Sequence, residues 1–338
     1  MRCLPRNQIL IGDARKVLGE LPANSVDCII TSPPYFRLRN YQDDLQIGLE
    51  ARVDDYVHEL LLAARKLARV LKPGGAFWLN LGDTFSRAPA QGAPEKSLLL
   101  APERLALALT ADGWILRSKV VWAKTNPMPT SVRDRLSCTH EMVYFFVRER
   151  RYYFDLDAIR VPHLSKLAHP AAGRVSWSVP EEWRGPSTGS NTGLDRLKSQ
   201  GLVGHPLGKN PGDVWQLATA GYRGAHHAVF PEKLIERPLL ATCPEKVCGR
   251  CGKPWMRGRV RTLGHLAVAG ELAPTCDCRA AARPGLVLDP FFGSGTVAAA
   301  ARRLGREWLG IELNPDFAKL ANERLSRVEQ RSPPLRAA

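Results

Sequence analysis

The segment that most restricts how this chain can fold is Leu286-Val287-Leu288-Asp289-Pro290-Phe291-Phe292-Gly293-Ser294-Gly295-Thr296. It is a short apolar run, a turn with two glycines and the start of a helix. Gly293 and Gly295 let the backbone bend sharply and approach a ligand where a Cβ would clash. A helix opening at Thr296 offers unpaired N–H groups to a polar ligand. About twenty residues on, Trp308-Leu309-Gly310-Ile311-Glu312 is a second apolar run ending in an acid. In nucleoside-binding α/β folds a carboxylate at that place accepts the two ribose hydroxyls. Ala298 stands where a third glycine is usual in pyrophosphate-binding turns, and the fingerprint tolerates it, so spacing alone leaves NAD open. The plainer alternative is a glycine turn that serves only chain reversal.

The rest of the chain supports an α/β frame. Ile9-Leu10-Ile11 and Val26 to Thr31 are strand candidates separated by a brief helix from Ala14 to Leu21. Val53, Val57, Leu60, Ala64, Leu67 and Leu71 recur at helical spacing behind Asp54 and Asp55. Lys72-Pro73-Gly74-Gly75 breaks that helix, and a strand is expected to start at Ala76. A helix over 102–112, strands over 115–122 and 141–148, and a short helix over 231–237 follow. Beyond the glycine turn come a helix over 296–304, a strand over 306–312 and a closing helix from Pro315. This alternation predicts a doubly wound, Rossmann-like sheet covered by helices. The aromatic runs Tyr144-Phe145-Phe146 and Tyr152-Tyr153-Phe154 are assigned to the core.

Thr31-Ser32-Pro33-Pro34-Tyr35 directly follows the second strand, where active-site loops of open α/β sheets lie. The prolines fix φ and remove backbone donors, so nearby carbonyls stay rigid and unpaired. Ser32 adds an acceptor hydroxyl and Tyr35 a flat face for a base. An exocyclic amine on cytosine or adenine is a poor nucleophile, because its lone pair is delocalised into the ring. Two acceptors aimed at its hydrogens favour a pyramidal nitrogen, and Ser32 Oγ with the Pro33 carbonyl is the candidate pair. Such a transfer needs orientation more than a strong base. A rigid Pro-Pro loop without function is the bland alternative.

Taken together the two loops resemble those of the amino-methylating DNA methyltransferases of the permuted β class, in which the catalytic loop precedes the cofactor turn. The resemblance extends over Gly12-Asp13, Ser32 to Tyr35, Leu71 to Gly75, His227-Ala228-Val229-Phe230-Pro231 and Asp289 to Thr296. It implies an S-adenosylmethionine-dependent methyltransferase sheet acting on double-stranded DNA by base flipping. It also implies that Ser32, Pro33, Pro34 and Tyr35 contact the flipped base. Asp13, Phe230, Asp289, Phe291, Gly293, Gly295, Thr296 and Glu312 would hold the cofactor. Members with Ser at the first loop position mostly modify cytosine N4 and those with Asp mostly adenine N6, so Ser32 favours cytosine. C5 methylation is disfavoured, since it needs a nucleophilic cysteine, usually in Pro-Cys, and only Cys243-Pro244 occurs. The resemblance brings with it a cognate restriction endonuclease as a candidate partner.

Four of the eight cysteines crowd into one segment, Cys248-x-x-Cys251 and Cys276-x-Cys278. Two close pairs of thiolates match a closed, structural Zn2+ site in a small zinc-ribbon-like module, with Cys243 as a substitute ligand. Free thiols or disulfides are the alternatives. Arg250, Lys253, Arg257, Arg259, Arg261, Arg279 and Arg283 outnumber the acids there, and the whole chain carries +15, which favours a polyanionic partner. No apolar run is long enough to span a bilayer and no signal-like run opens the chain, so a cytoplasmic protein is expected.

The expected partition is a catalytic half over 1–149, a Gly-, Ser- and Pro-rich target-recognition insert over 150–212, and a return to the core over 213–242. The zinc module then spans 243–284, the cofactor-binding half 285–330 and a tail 331–338. A non-catalytic zinc-ribbon DNA-binding protein and an adenine-N6 enzyme of the same architecture are the rival readings.

Overall fold

A computed structural model of the chain describes residues 4–41, 43–162, 207–220, 230–262 and 266–331. It contains two compact units, one of Met1–Asp155, Gly212–Trp255 and Pro274–Ala338, the other of Leu156–Pro211 and Met256–Ala273.

The first unit begins with β1 (Gln8–Ile11), α1 (Ala14–Glu20), β2 (Val26–Thr31), α2 (Val53–Val70) and β3 (Leu71–Leu81). It continues through α3 (Ala101–Ala111), β4 (Ile115–Lys124), β5 (His140–Val147), β6 (Val214–Leu217), α4 (Glu232–Thr242) and β7 (Val247–Cys248). After β8 (Met256–Thr262) and β9 (Leu266–Ala273), which belong to the second unit, come β10 (Ala282–Arg283), β11 (Leu286–Asp289), α5 (Thr296–Arg303), β12 (Glu307–Glu312) and α6 (Pro315–Arg331).

Eight strands form one sheet in the order β1-β12-β11-β2-β3-β5-β4-β6. Every neighbouring pair is parallel except the two that involve β5. Reversal of that one strand has a functional consequence. The C-terminal ends of the other seven strands and the start of β5 all lie along one edge, where open α/β sheets bind ligands.

Both faces of the sheet are covered, so its central strands are buried on both sides and mostly apolar rather than alternating, with Asp27, Thr31, Asn80 and Asp289 as buried polar exceptions. Ile29, Phe77, Leu79, Leu309 and Ile311 face one core with Leu18 of α1, Leu60 and Leu67 of α2 and Leu105 of α3. Their neighbours Cys28, Ile30, Ala76, Trp78 and Trp308 face the other, with Leu234 and Leu239 of α4, Val297 of α5 and Leu325 of α6. Trp78 stacks on Phe145 with centroids 4.4 Å apart, and Phe145 in turn meets Tyr152 and Phe154. The aromatic runs are therefore core, as their composition suggested.

Three local departures from the sequence expectation have physical causes. β3 starts at Leu71 rather than Ala76, because Val26 pairs with Leu71 and Cys28 with Ala76. The intervening Lys72–Gly75 is a bulge, and the Gly74 carbonyl accepts from Tyr153 N at 3.0 Å. α4 passes through Pro238, where a stop was expected after 237. Burial of Leu234, Ile235, Pro238 and Leu239 against the sheet outweighs the missing donor. The four-residue β6 pairs with β4 at the sheet edge and was not foreseen, since a strand this short has little pattern to read.

In the second unit β8 and β9 form an antiparallel hairpin with a register shift between Arg257 and Arg259. Val161 bridges Lys209, and Arg160 bonds Asp157 and the Gly208 carbonyl. The cysteine-bearing ends of the 243–284 segment thus group with the sheet, while the hairpin between them groups with 156–211. Most of the expected recognition insert, 163–206, lies outside the described residues, as do 227–229 of the motif ending at Phe230-Pro231. Among the described residues no helix is long and apolar enough to cross a membrane.

Candidate active site

The strand ends along the ligand edge enclose a cavity of about 470 Å³. Ser32, Pro33, Pro34 and Tyr35 line it, and so do Phe291, Gly293, Thr296 and Glu312 together with Asp13 and Phe230. The Ser32–Tyr35 loop and the glycine turn at Gly293, some 260 residues apart in sequence, therefore open into one space. Asp289 and Gly295 do not line it. Asp289 is 1% exposed and acts from behind, its Oδ1 accepting from Thr31 Oγ1 at 2.6 Å and from Phe291 N at 3.1 Å. The first of these bonds ties the end of β2 to the end of β11. Gly295 has φ 75 and caps α5, a left-handed conformation that a side chain would strain.

Glu312 accepts from Gly293 N at 2.6 Å and from Asn314 N at 3.0 Å, so the glycine turn is bonded to the acid that ends β12. The turn is seated by Phe292, whose ring stacks on Trp308 at 5.4 Å and occupies the space above Gly310. A Cβ at Gly310 would lie 2.3 Å from that ring. Burial pushes the Asp289 carboxyl up to about 7, against the bonds from Thr31 and Phe291 N that favour its charged form. Burial raises Glu312 as well, against its backbone hydrogen bonds. Asp13 differs: it caps α1 through Arg15 N at 2.8 Å, and the Arg15 guanidinium bonds both its oxygens. Burial raises its pKa, yet the Arg15 bonds hold the carboxyl below its ordinary value. Its carboxylate is committed to these partners, while the residue still lines the cavity.

On the catalytic side the structure adds residues that sequence reasoning missed. Tyr35 OH donates to Glu141 Oε2 at 2.5 Å, and Lys124 Nζ donates to Glu141 Oε1 at 2.6 Å. Asn80 Nδ2 lies 2.9 Å from Glu141 Oε2, 3.0 Å from Tyr35 OH and 3.3 Å from Ser32 Oγ. Because a carboxylate only accepts, Glu141 dictates which end of the Asn80 amide faces it. Asn80 Oδ1 is left as a buried acceptor with no partner among the described residues. Tyr56 OH donates to the Pro34 carbonyl at 2.8 Å, fixing the loop from below. A Cβ at Gly82 would lie 2.5 Å from the Tyr35 ring, so the glycine makes room for it. One cue existed: Asn80 is the single polar residue in Ala76–Leu81, at the strand end nearest the ligand edge. Glu141 and Lys124 come from strands whose pairing brings them together, and nothing local marks them.

At the opposite edge, where β2, β3 and β11 begin, the thiol sulfurs of Cys248, Cys251, Cys276 and Cys278 all lie within 4.8 Å of one another. The short pair β7–β10 holds the cluster beside the start of β11, with Gly285 N donating to the Pro244 carbonyl at 3.1 Å. Lys72 reaches both Asp27 at 2.5 Å and the Gly252 carbonyl at 3.2 Å. Cys243 is not a member of the cluster; it is buried at the end of α4. His226 and His227 lie outside the described residues.

A mixed sheet with one reversed strand, a glycine turn bonded to a strand-end acid and a proline-rich loop opening on the same cavity define a methyltransferase-type α/β protein. The family model described as DNA methylase, covering N6 and N4 enzymes, matches residues 26–323, and the chain belongs to that family of DNA methyltransferases. It is 32% identical to the type II methyltransferase M.SmaI of Serratia marcescens, over 96% of this chain and 94% of that one. It is also 32% identical to M.Cfr9I of Citrobacter freundii, over 93% and 86% of the two chains. Its fold is shared with the cytosine-N4-specific PvuII DNA methyltransferase, with a TM-score of 0.57, 18% identity and coverage of 97% and 93%. A putative DNA modification methylase of Thermus thermophilus, solved with S-adenosyl-L-methionine, gives a TM-score of 0.53 at 22% identity over 95% and 93%.

Proposed function

We propose that this protein methylates the exocyclic N4 amine of cytosine at a specific site in double-stranded DNA, with S-adenosylmethionine as donor. The observation that carries the reading is the shared cavity, in which Ser32–Tyr35 and the Gly293 turn face one another. S-Adenosylmethionine supplies an electrophilic methyl group on a sulfonium. Glu312 would hold the ribose hydroxyls, and Phe291 and Phe230 wall the pocket. Ser32 Oγ and the Pro33 carbonyl would accept from the amine's hydrogens and orient its lone pair, the proton that the amine loses on methylation passing to water, while Tyr35 would support the face of the flipped base. The Lys124–Glu141–Asn80 network holds Ser32 and Tyr35 in place, and the free Asn80 Oδ1 is a further acceptor beside them.

Serine at the first loop position favours cytosine over adenine N6, which is the second reading. Digestion of methylated DNA to nucleosides and mass spectrometry separates them. N4-Methylcytosine is expected; N6-methyladenine would establish the alternative, and an unmodified product would overturn both.

The four cysteines fit a structural zinc ion: four sulfurs in two close pairs, mutually within 4.8 Å, would supply all four ligands and leave no open position for water. Placed at the edge away from the cavity, the ion would fasten the start of β11 and take no part in methyl transfer. The 150–212 insert is proposed to read the DNA sequence, with exposed basic residues such as Arg250, Lys253 and Arg279 of the cysteine segment adding phosphate contacts. The similarity to type II methyltransferases supports a companion restriction endonuclease and a cytoplasmic, nucleoid-associated location.

A further inference from the structure

Among the described residues, two buried polar atoms without a partner belong to residues lining the cavity, and they are of opposite sense. One is the acceptor Asn80 Oδ1; the other is the donor Arg39 Nη1. Arg39 lies on the segment that follows the catalytic loop. Gln46 pins that segment by donating to the Arg39 carbonyl at 2.8 Å and accepting from Tyr41 N at 2.6 Å. Leu38, Arg39, Tyr41, Leu45 and Gln46 all line the cavity, so this segment forms one of its walls. Burial raises the Tyr41 pKa, while the positive charge of Arg39 lies close enough to the Tyr41 hydroxyl to favour its ionised form, and among the described residues Arg39 Nη1 has no hydrogen-bond partner. Among the described residues no carboxylate lies within ion-pair distance of Arg39. A desolvated guanidinium N–H without an acceptor is costly, and its planar fork suits an anion with two oxygens.

Two such anions enter this site under the methyltransferase reading, the amino-acid carboxylate of the cofactor and a phosphate of the extruded nucleotide. The segment leans to the cofactor side. The Tyr41 ring meets Phe317 edge-on at 6.0 Å, just beyond the ribose-binding acid Glu312, and Arg15 Nη2, bonded to Asp13, also bonds the Leu45 carbonyl. We infer that Arg39 binds the carboxylate of S-adenosylmethionine, which rests on the proposed function above and extends the cofactor site to a residue outside the two loop motifs.

Calorimetry on full-length Arg39→Met and Arg39→Lys tests this, with three ligands. S-Adenosylmethionine and S-adenosylhomocysteine carry the carboxylate; 5′-methylthioadenosine lacks it. Arg39→Met should weaken the first two by about 10- to 100-fold, the cost of a lost charge-assisted bond, and leave methylthioadenosine unchanged. Arg39→Lys, with a single point donor, should fall between. Equal loss for all three ligands would mean that the wall has collapsed and would overturn the assignment. Unchanged S-adenosylmethionine affinity with a raised KM for DNA would overturn it in favour of the phosphate. Wild-type protein that fails to bind S-adenosylmethionine would instead refute the proposed function itself.

Discussion

Replacing Asp289 by Asn should change how the cofactor-free protein's stability depends on pH. An unfolded aspartate titrates near 3.8, whereas burial moves Asp289 to about 7. Between those values the folded state holds a proton that the unfolded state has released. Stability from this carboxyl is therefore fully present below about pH 4 and is lost as pH rises through about 7. At about 1.4 kcal/mol per pH unit, the part lost between pH 5 and pH 8 is about 3 kcal/mol. Asn is nearly isosteric, and its Oδ1 can still accept from Thr31 Oγ1 and Phe291 N. The variant should lack this component, so its melting temperature relative to wild type should rise by on the order of 5 °C across that interval. Thermal unfolding followed by tryptophan fluorescence at four pH values, without cofactor, is the assay. Curves for the two proteins that run parallel from pH 5 to pH 8 would show that Asp289 is ionised throughout, and the argument from its burial would fail.

Four further outcomes follow from the geometry. Gly310→Ala places a Cβ 2.3 Å from the Phe292 ring, so it should cost about 1–3 kcal/mol in stability and weaken S-adenosylmethionine binding in calorimetry; undiminished affinity would mean that the ring does not seat the turn. Glu141→Gln removes the charge that holds Lys124 and orients Asn80, and turnover should fall by about tenfold with cofactor affinity unchanged. Wild-type turnover in that variant would take the network out of the reaction. Ser32→Ala should lower turnover far more than cofactor affinity, and an unaffected rate would count against the hydroxyl as acceptor. Wild-type protein should contain one zinc per chain by atomic emission, while Cys251→Ser should lose the metal and melt several degrees lower; a metal-free wild type with an unaltered variant would remove the site.

The parts of the site that were legible are those in which a backbone requirement and a chemical requirement coincide within a few residues. Gly293 and Gly295 announce a tight turn, Ser32–Tyr35 a rigid acceptor loop, and Glu312 a strand-end carboxylate, each detectable without a partner. The cysteine pairs are similar, because closely spaced thiols have few other uses in a chain of this kind. Asp13 lines the cavity while its carboxylate also bonds Arg15 two residues away, a pairing that spacing does not reveal.

The amino-acid sequence by itself determined the alternation of strands and helices, the two loops that line the cavity and the likeness to a family, because these depend on local periodicity and on residues whose geometry is intrinsic. Tertiary structure alone decided that β5 runs against its neighbours, which carries Glu141 to the edge occupied by Asn80 and Lys124 and assembles a network from three strands. It also decided which buried groups are satisfied, leaving Arg39 Nη1 and Asn80 Oδ1 in one cavity without partners among the described residues. Pairing and burial are properties of residues distant in the chain, and no window of sequence contains both members of such a pair.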